Sequence, residues 1–253
     1  MNLEEIFKTF SGRRRDVLHC LLNGRETDIP PSTFSVTLKL FRERGIVEGN
    51  NLTDKGVMYC HLLNTIEECA EVIEKLCSFF SDHIIRIPPP LIPRLGELKD
   101  VEFLETKESL EELQRRVDEI IMQSKFVNVI SESDALGYID YYLHFLVHAM
   151  ENIQLIRSLT TRDVLDILLN EYSDFPFDKL KKLEVRVVDE PTYMGLTVTE
   201  KYMTLNFHKS NGSYEFTKDT FSSSPTAIKF ATDLFNYFWE RATPAFKDGK
   251  FLI

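Results

Sequence analysis

The sequence lacks the features of membrane-spanning and secreted proteins. It has no run of about 18 apolar residues, so no segment is predicted to cross a membrane. Charged residues at positions 4, 5 and 13–15 interrupt the N-terminal part, which excludes a signal peptide. The four cysteines form no C-x-x-C pair, and Cys20 and Cys69 lie at apolar periodic positions. We therefore expect reduced core cysteines and a cytoplasmic protein.

The familiar catalytic motifs are also missing. The chain has no G-x-S-x-G, H-E-x-x-H, P-loop or G-x-G-x-x-G pattern. His144 and His148 are one helical turn apart, with Asp140 and Glu151 on the same side, and such a column could hold a metal. The apolar residues of this segment define the opposite, buried side, so the column is predicted to be a solvent face. No catalytic residue, metal site or cofactor is predicted, and an enzyme is not expected.

Charge is distributed unevenly along the chain. The 253 residues carry a net charge of −10, and their number predicts two domains. Residues 1–60 contain nine Lys or Arg against eight Asp or Glu, whereas residues 61–253 contain 21 against 32. An acidic protein repels nucleic acid at long range. Any contact with nucleic acid is therefore expected from the first 60 residues.

One long helix is predicted between two domains. It begins after Thr53, a plausible N-cap, with Asp54 in its first turn. Six apolar residues follow at spacings of 4, 3, 4, 3 and 4, the heptad pattern of a helix that packs along another helix: Leu62, Ile66, Cys69, Ile73, Leu76 and Phe80. We expect these residues to form a dimer seam; the alternative is a helix buried within its own chain. The predicted domains are 1–60, a connecting and dimerisation helix at 61–83, and 84–253.

The first 60 residues have the order of a winged helix-turn-helix. A helix ends at Gly24, a second begins after Pro30-Pro31 with Ser32 as its cap, and a hairpin follows Gly45. The segment 25–31 is too short for a full helix between them. Arg13, Arg14 and Arg15 are predicted to precede the first helix and to contact phosphates.

This region resembles the archaeal winged-helix regulators. The resemblance lies in Ser32-Thr33-Phe34-Ser35, Arg44-Gly45-Ile46-Val47 and the Leu52-Thr53-Asp54-Lys55-Gly56 exit. It implies a recognition helix in the major groove and a wing at the DNA backbone. The residues implied are Ser32, Thr33, Ser35, Thr37 and Lys39 in the helix and Asn50 and Asn51 in the wing. Val36 and Leu40, also predicted on the DNA-facing side, equally favour a protein contact.

Strand and helix patterns alternate in the rest of the chain. Alternation of this kind predicts an α/β sheet covered on both faces. Strands are predicted at 101–105, 126–130, 153–158, 183–188, 194–198, 202–207 and 214–216. Helices are predicted at 109–123, 136–150, 161–172 and 225–241.

This second part resembles the sensor domain of a methanogenesis regulator of the Fil type. The resemblance lies in Arg94-Leu95-Gly96-Glu97-Leu98, Arg186-Val187-Val188-Asp189 and residues 195–199. It implies an archaeal transcriptional regulator whose α/β sensor is distantly similar to the phospholipase-D-like fold. A phospholipase D needs the spacing H-x-K-x-x-x-x-D, and none of the six histidines has a lysine two positions on. Phosphodiester chemistry is therefore not expected.

Three strand ends of the sensor are polar. Ligands of open α/β sheets bind beyond the carboxyl ends of strands, near helix N-termini. The residues at these ends are Ser131 and Ser133, then Thr160, Thr161 and Arg162, and finally His208. They are predicted to bind an effector, and Arg162 would suit an anionic group; the alternative is ordinary N-capping by Ser133 and Thr160.

The sequence thus predicts a mixed α/β protein that is a ligand-responsive, dimeric, DNA-binding transcriptional regulator. Its expected partners are double-stranded DNA, an unknown small-molecule effector and a second copy of the chain, with no membrane. The alternative is a sensor or interaction protein whose degenerate winged helix docks protein partners.

Overall fold

A computed structural model shows two compact units, residues 1–67 and residues 68–253. The structure describes residues 1–24, 28–105, 118–119, 121–132, 139–215 and 217–252. The boundary between the units lies inside a helix of 26 residues, α4 (Asp54–Phe79). No helix in the described part of the chain is both long enough and apolar enough to cross a bilayer.

The described residues of the first unit form three helices before a two-stranded wing. They are α1 (Leu3–Thr9), α2 (Arg13–Asn23) and α3 (Pro31–Glu43), followed by β1 (Val47–Glu48) and β2 (Asn51–Leu52). The strands pair antiparallel, with Val47 opposite Leu52. The winged helix-turn-helix order is therefore present, with α1 as a helix that the sequence analysis missed.

Two helix boundaries in this unit differ from the prediction. Arg13 is the first residue of α2, so the three arginines lie inside a helix and not before it. Ser32 is not the cap of α3, because the helix begins at Pro31. Proline suits that first position, since it lacks only an N–H that the helix would leave unpaired. The predicted αL stop at Gly24 is confirmed, with φ 62°.

The core of the first unit is formed by residues from every helix and from the wing. Val17 and Leu18 of α2 and Phe41 of α3 are fully buried, together with Ile46 before the wing. Phe10, which follows α1, stacks at a tilt on Phe41 with ring centroids 5.7 Å apart. This packing fixes the orientation of α3 and of the wing that follows it.

In the described residues of the second unit, nine strands form one sheet in the order β11-β10-β6-β5-β4-β7-β8-β9-β3. Among these strands, β4, β5 and β6 are parallel neighbours, and the other pairs are antiparallel. The strands are β3 (Glu102–Glu105), β4 (Phe126–Ile130), β5 (Leu155–Thr160), β6 (Leu183–Val187), β7 (Met194–Thr199), β8 (Met203–Phe207), β9 (Lys218–Ser222), β10 (Thr243–Lys247) and β11 (Lys250–Phe251).

Helices cover both faces of this sheet, as the alternating pattern predicted. On one face α7 (Pro225–Trp239), a 3₁₀ segment (Pro89–Leu98) and the end of α4 pack on β7 and β8. On the other face α5 (Ile139–Ala149) packs on β4 and β5, and α6 (Arg162–Glu171) on β6 and β10. The mixed α/β class is thereby confirmed.

Several predicted elements of this unit are shifted or wrong. A strand was predicted at 214–216. Residues 214–215 do not form a strand, residue 216 lies outside the described residues, and β9 begins at Lys218. The strand predicted at 153–158 runs from Leu155 to Thr160. The C-terminal hairpin of β10 and β11 was missed. Most of the predicted helix at 109–123, and the first turn of the one at 136–150, lie outside the described residues.

Candidate nucleic-acid interface and effector site

Helix α3 exposes one polar face. Ser32, Ser35, Val36 and Lys39 are all exposed, and their spacing of three, four and seven residues places them on one side of the helix. Val36 is 69% exposed. Thr37 lies on the opposite side and is only 2% exposed, so its predicted contact with DNA is wrong.

Thr37 is buried because of its position in the helical repeat. It lies three residues after Phe34 and four before Phe41, both of which pack in the core of the first unit. The same spacing was readable in the sequence. Thr33 is half-buried and borders the exposed face.

The wing tip is attached to α3 by Arg42. Its Nε and Nη2 donate to the carbonyl oxygen of Gly49 at 2.9 and 2.7 Å, and Nη2 also donates to Oδ1 of Asn50 at 3.1 Å. Asn50 and Asn51 are exposed at this turn, as a contact with the DNA backbone would require. Arg42 is one of the nine basic residues of positions 1–60, and no sequence pattern predicts this role for it.

The three arginines of α2 differ in their surroundings. Arg14 donates from Nη1 to the carbonyl oxygen of Lys8 at 3.0 Å. Arg15 forms an ion pair with Glu67. All three side chains are exposed in the first turn of the helix. A cation there is opposed by the positive end of the helix dipole, an effect that an external anion would relieve.

The start of α4 is fixed to the chain before the wing. The Thr53 hydroxyl donates to the carbonyl oxygens of Gly45 and Ile46, at 2.8 and 3.0 Å, and accepts the N–H of Gly56 at 3.2 Å. Thr53 therefore caps α4, as predicted. A Cβ on Gly56 would overlap the carbonyl oxygen of Ile46. The Thr-x-x-Gly exit thus has a steric reason for its glycine.

Three residues of the predicted heptad seam are exposed in the structure and the other three are buried. Leu62, Ile66 and Ile73 are 47%, 40% and 38% exposed. Cys69, Leu76 and Phe80 are instead buried in the core of the second unit, so they are not available to a partner helix. Met58, which is 65% exposed one turn before Leu62, was not predicted. The exposed apolar side of α4 therefore consists of Met58, Leu62, Ile66 and Ile73.

The polar strand ends predicted to bind an effector lie at one end of the sheet. Ser131 follows β4 and donates its N–H to Leu159 of β5 at 3.0 Å. Thr160 ends β5, and its carbonyl oxygen accepts the N–H of Val188 at 3.0 Å. His208 follows β8. This strand is antiparallel to its neighbours β7 and β9 but runs in the same direction as β4 and β5. Ser133 lies outside the described residues.

The charged group predicted at this end is not well placed for an anion. The side chain of Arg162 is 60% exposed and lies 3.4 Å from Asp166, one turn further along α6. Thr161 occupies the N-cap position of α6 without a side-chain capping bond.

A buried carboxylate that sequence analysis did not single out organises the loop before β7. Glu132 is 2% exposed, and its two oxygens accept the N–H groups of Thr192 and Tyr193 at 2.5 and 2.9 Å. Tyr193 has φ 58°, a strained value for a residue other than glycine. The Arg86 guanidinium lies 4.5 Å from the centre of its ring.

The chain that follows α4 is bonded to the loop that follows β8. The N–H of Ile84 donates to the carbonyl oxygen of His208, and the N–H of Ser210 to that of Asp82, each at 2.8 Å. Lys218 donates from Nζ to the carbonyl oxygen of Phe79 at 2.7 Å, which satisfies the C-terminal end of α4.

A buried hydrogen bond between His83 and Glu215 reinforces the same junction. His83 Nε2 lies 2.9 Å from Oε2 of Glu215, and both side chains are almost completely buried. Burial alone would raise the pKa of Glu215. Hydrogen bonds from Thr217 and His83 and the charge of Lys209 outweigh burial and lower the pKa to about 2.

His144 and His148 are exposed on α5, which agrees with the predicted solvent face. The described ranges contain no group of three or more His, Cys, Asp or Glu side chains arranged to hold a metal ion.

Comparison with known sequences identifies the second unit. The sequence model of the family described as methanogenesis regulatory protein FilR1, middle domain, matches residues 110–241, just over half of the chain. The methanogenesis regulatory protein FilR1 of Methanothrix harundinacea (strain 6Ac) is 24% identical over 239 residues. That alignment covers 91% of this chain and 53% of the relative, so the chain spans about half of the relative's length.

Three solved structures align with the chain at low identity. TrmBL2, described as an archaeal chromatin protein with a novel mode of DNA binding, aligns with a TM-score of 0.44, at 11% identity over 96% of this chain and 99% of its own. Nuc, a phospholipase D family member from Salmonella typhimurium, aligns with a TM-score of 0.40, at 9% identity over 58% of this chain and 98% of its own. NucT from Helicobacter pylori gives the same TM-score at 11% identity, over 57% and 98%.

Proposed function

The chain belongs to the family of the methanogenesis regulatory protein FilR1, and we propose that it is a ligand-responsive, dimeric transcriptional regulator that binds double-stranded DNA. The first unit would bind the duplex, the exposed side of α4 would join two copies, and the second unit would bind a small-molecule effector. The proposed domains are those expected from the sequence, with residues 61–83 as the connecting and dimerisation segment; the helix α4 itself runs from Asp54 to Phe79. The regulator would act in the cytoplasm and would have no catalytic activity of its own.

The observation that carries the proposal is the exposed face of α3 beside a wing held by Arg42. Ser32 and Ser35 present hydroxyl groups that can bond to phosphates or base edges, and Lys39 presents a cation. Thr33 would contribute from the border of this face. Asn50 and Asn51 at the wing tip would meet the sugar-phosphate backbone.

The charges of the chain support the same interface. The excess of acidic residues lies outside residues 1–60, so the first unit is where a phosphate backbone would be attracted. Arg13, Arg14 and Arg15 would contact phosphates from the first turn of α2. Since Arg14 and Arg15 already have partners in the protein, Arg13 would contribute most.

Dimerisation is supported by the exposed apolar side of α4. Met58, Leu62, Ile66 and Ile73 are large apolar residues with between 38% and 65% of their surface exposed. Exposed apolar residues on one side of a helix, as here, are typical of an interaction surface. A second copy that places the same side of α4 against it would bury the patch on both chains. Two winged helices would then be held at a fixed spacing for two half-sites.

Ligand response is supported by the junction between the sheet end and α4. The effector residues Ser131, Thr160, Thr161, Arg162 and His208 would lie at or near a bound molecule, as would Ser133. The backbone of His208 is bonded to Ile84, and Lys218 is bonded to the last turn of α4. A shift at the end of β8 would therefore displace the end of the helix that carries the dimer surface.

Binding of a fluorescent duplex to the full chain tests the proposal. Lys39→Glu is expected to weaken binding several-fold, because it places a negative charge toward the phosphates. Lys75→Glu makes the same charge change at an exposed site of α4 in the second unit and serves as the control. Equal losses in the two variants would contradict a specific role for the α3 face.

A second function is favoured by one observation, the 69% exposure of Val36 in the middle of the α3 face. An aliphatic side chain there suits a protein surface as well as a thymine methyl group. In that case the winged helix would dock a protein partner. If α3 docks a protein, Val36→Ser would abolish the partner's binding. If α3 binds DNA, the Val36→Ser variant would retain most of its affinity for a duplex that has no thymine at that position.

A further inference from the structure

Four buried polar atoms at one end of the sheet have no hydrogen-bond partner. They are Oγ1 of Thr160, Oγ1 of Thr161, Oγ1 of Thr192 and Nε2 of His208. Thr160, Thr192 and His208 are 4%, 2% and 3% exposed. In the described part of the chain only three other buried side-chain atoms have no hydrogen-bond partner, those of Asn64, His83 and Arg157, and His83 Nδ1 still lies 2.8 Å from Oδ1 of Asp82. Since an unpaired buried polar group destabilises the folded state, such a concentration points to an absent partner.

The strand registers place the residues that carry these atoms in one row along the end of the sheet. Ser131 follows a residue that pairs with Leu159, so it lies beside Thr160. Thr192 is bonded through its N–H to Glu132, and Tyr193 is bonded to the N–H of His208. The row therefore crosses β5, β4, β7 and β8, three strand spacings or about 14 Å. A molecule that reached both ends of it would be elongated.

The hydrogen bond made by the His208 imidazole determines whether the absent partner must be a donor or an acceptor. Its Nδ1 lies 3.2 Å from the carbonyl oxygen of Gly212. A carbonyl oxygen only accepts, so Nδ1 carries the proton, and in the neutral ring Nε2 is an acceptor. Nε2 therefore needs a donor. The three threonine hydroxyls can donate or accept, so they accommodate either kind of group.

The charges near this end disfavour an anion. Glu132 is buried here as a carboxylate bonded to two N–H groups. Asp189 and Glu190 follow β6 at the same end, and Asp163 lies in the first turn of α6. The nearby cations are Arg162, which pairs with Asp166, Arg86, which lies on Tyr193, and Lys209, which pairs with the buried Glu215. The acidic residues thus outnumber the basic ones around a row that already lacks a donor.

We propose that this end of the sheet encloses a binding site for an elongated, uncharged ligand that presents O–H or N–H donors, with Thr160, Thr161, Thr192 and His208 as its direct contacts. The proposal deepens the effector site of the proposed function: it adds Thr192, removes Arg162 from direct contact and replaces the anion expected from the sequence. A ligand enters an enclosed site only when its cover moves. The loop before β7 contains the strained Tyr193, whose strain is relieved if the loop shifts.

Thermal unfolding of the free protein tests whether the hydroxyls lack partners. Thr160→Val and Thr192→Val each remove an unpaired hydroxyl with little change of shape, so both are expected to raise the unfolding temperature. Thr220→Val is the matched control, because its buried hydroxyl donates to the carbonyl oxygen of Leu205 at 2.7 Å and its loss is expected to lower that temperature. If all three variants lower it equally, protein groups or ordered water already satisfy the hydroxyls and the site does not exist.

Two small probes of similar shape test the ligand class. N-acetylglycinamide is neutral and has an additional N–H donor, whereas N-acetylglycine is an anion near neutral pH. NMR signals of the Thr192 and Tyr193 amides and the His208 ring are followed in the full chain at probe concentrations of about 10 mM, since fragments of this size bind weakly.

The amide is expected to shift these signals with an affinity at least about tenfold higher than that of the anion. The shifts should disappear in Thr192→Val and persist in Thr220→Val. Equal or tighter binding of the anion, or no shift with either probe, would overturn the proposal. These measurements contain no DNA, and duplex binding is measured separately on the same chain. A regulator that binds duplex without this site is thereby distinguished from a chain that binds neither.

Discussion

The guanidinium of Arg42 donates two hydrogen bonds to the carbonyl oxygen of Gly49, at 2.9 and 2.7 Å. This contact joins the last turns of α3 to the turn between β1 and β2. In the proposed interface the helix and the wing would contact one duplex, so their relative position matters as much as their individual contacts. Arg42 acts on that position through the protein, whether or not it also contacts DNA.

Arg42→Ala should therefore loosen the wing and weaken duplex binding more than the loss of one positive charge explains. Lys75→Ala removes one charge from an exposed site of α4 and measures the charge effect alone. Amide hydrogen exchange of residues 48–51 reports wing mobility and should become faster only in Arg42→Ala. If exchange at the wing is unchanged, the two hydrogen bonds do not hold it in solution.

Gly56→Ala should destabilise the first unit, because the new Cβ would overlap the backbone oxygen of Ile46. A backbone atom cannot move aside as a flexible side chain can, so we expect a loss of about 1–3 kcal/mol in the free energy of unfolding. Hydrogen exchange of residues 1–67 provides the measurement. Gly24→Ala, strained only through its positive φ and without close neighbours, should cost about 1 kcal/mol. A smaller loss at Gly56 than at Gly24 would refute the steric argument.

Asp219 should make the second unit less stable as the pH rises. Burial raises the pKa of Asp219 to about 7, although the N–H of Thr220 bonds to its carboxylate at 2.7 Å. Between pH about 4 and 7 the unfolded chain releases this proton while the folded chain keeps it, and the folded state loses up to about 4 kcal/mol. Glu215, whose pKa is lowered to about 2, contributes a constant amount above pH about 5.

Asp219→Asn keeps the shape and removes the titration. Its stability relative to wild type should increase steadily from pH 4 to pH 7, as measured by urea unfolding at a series of pH values. A constant difference between the two proteins across this range would show that Asp219 ionises as it does in the unfolded chain.

The double variant Ile66→Asp with Ile73→Asp should sediment as a folded monomer. The two side chains are 40% and 38% exposed in one chain, so charges there cost little in a monomer. In the proposed dimer four carboxylates would meet in one apolar surface, at a cost of several kcal/mol each. Leu76→Asp is the contrast, because Leu76 is 2% exposed in the core of the second unit and its replacement should unfold that unit. A wild-type chain that already sediments as a monomer would rule out the dimer.

Much of the fold could be predicted from local patterns, because helix caps, helix ends and tight turns depend on residues that are close together in the sequence. The cap at Thr53, the stop at Gly24 and the turn of the wing follow from short-range chemistry that any fold must respect. The same rules would have found two missed elements. Asn2 and Glu5 form a capping box at the start of α1, and Asp248-Gly249, both with positive φ, make the turn between β10 and β11.

Other features depend on tertiary packing and could not be read from a pattern. Periodicity showed that α4 has an apolar stripe, but it does not reveal which surface covers it. The sheet of its own chain covers Cys69, Leu76 and Phe80, whereas Leu62, Ile66 and Ile73 are exposed. In the same way Glu132 became visible only when Thr192, 60 residues later, was placed beside it.

The central claim, that the first unit binds duplex DNA through phosphate contacts, is tested most directly by a salt titration of the wild-type chain. The logarithm of the binding constant should fall linearly with the logarithm of the salt concentration, with a slope of about −0.9 for each phosphate contacted. Replacing Arg13, Arg14 and Arg15 together by Ala should flatten this slope for every duplex. No binding to any duplex at low salt, or binding independent of salt, would contradict the claim.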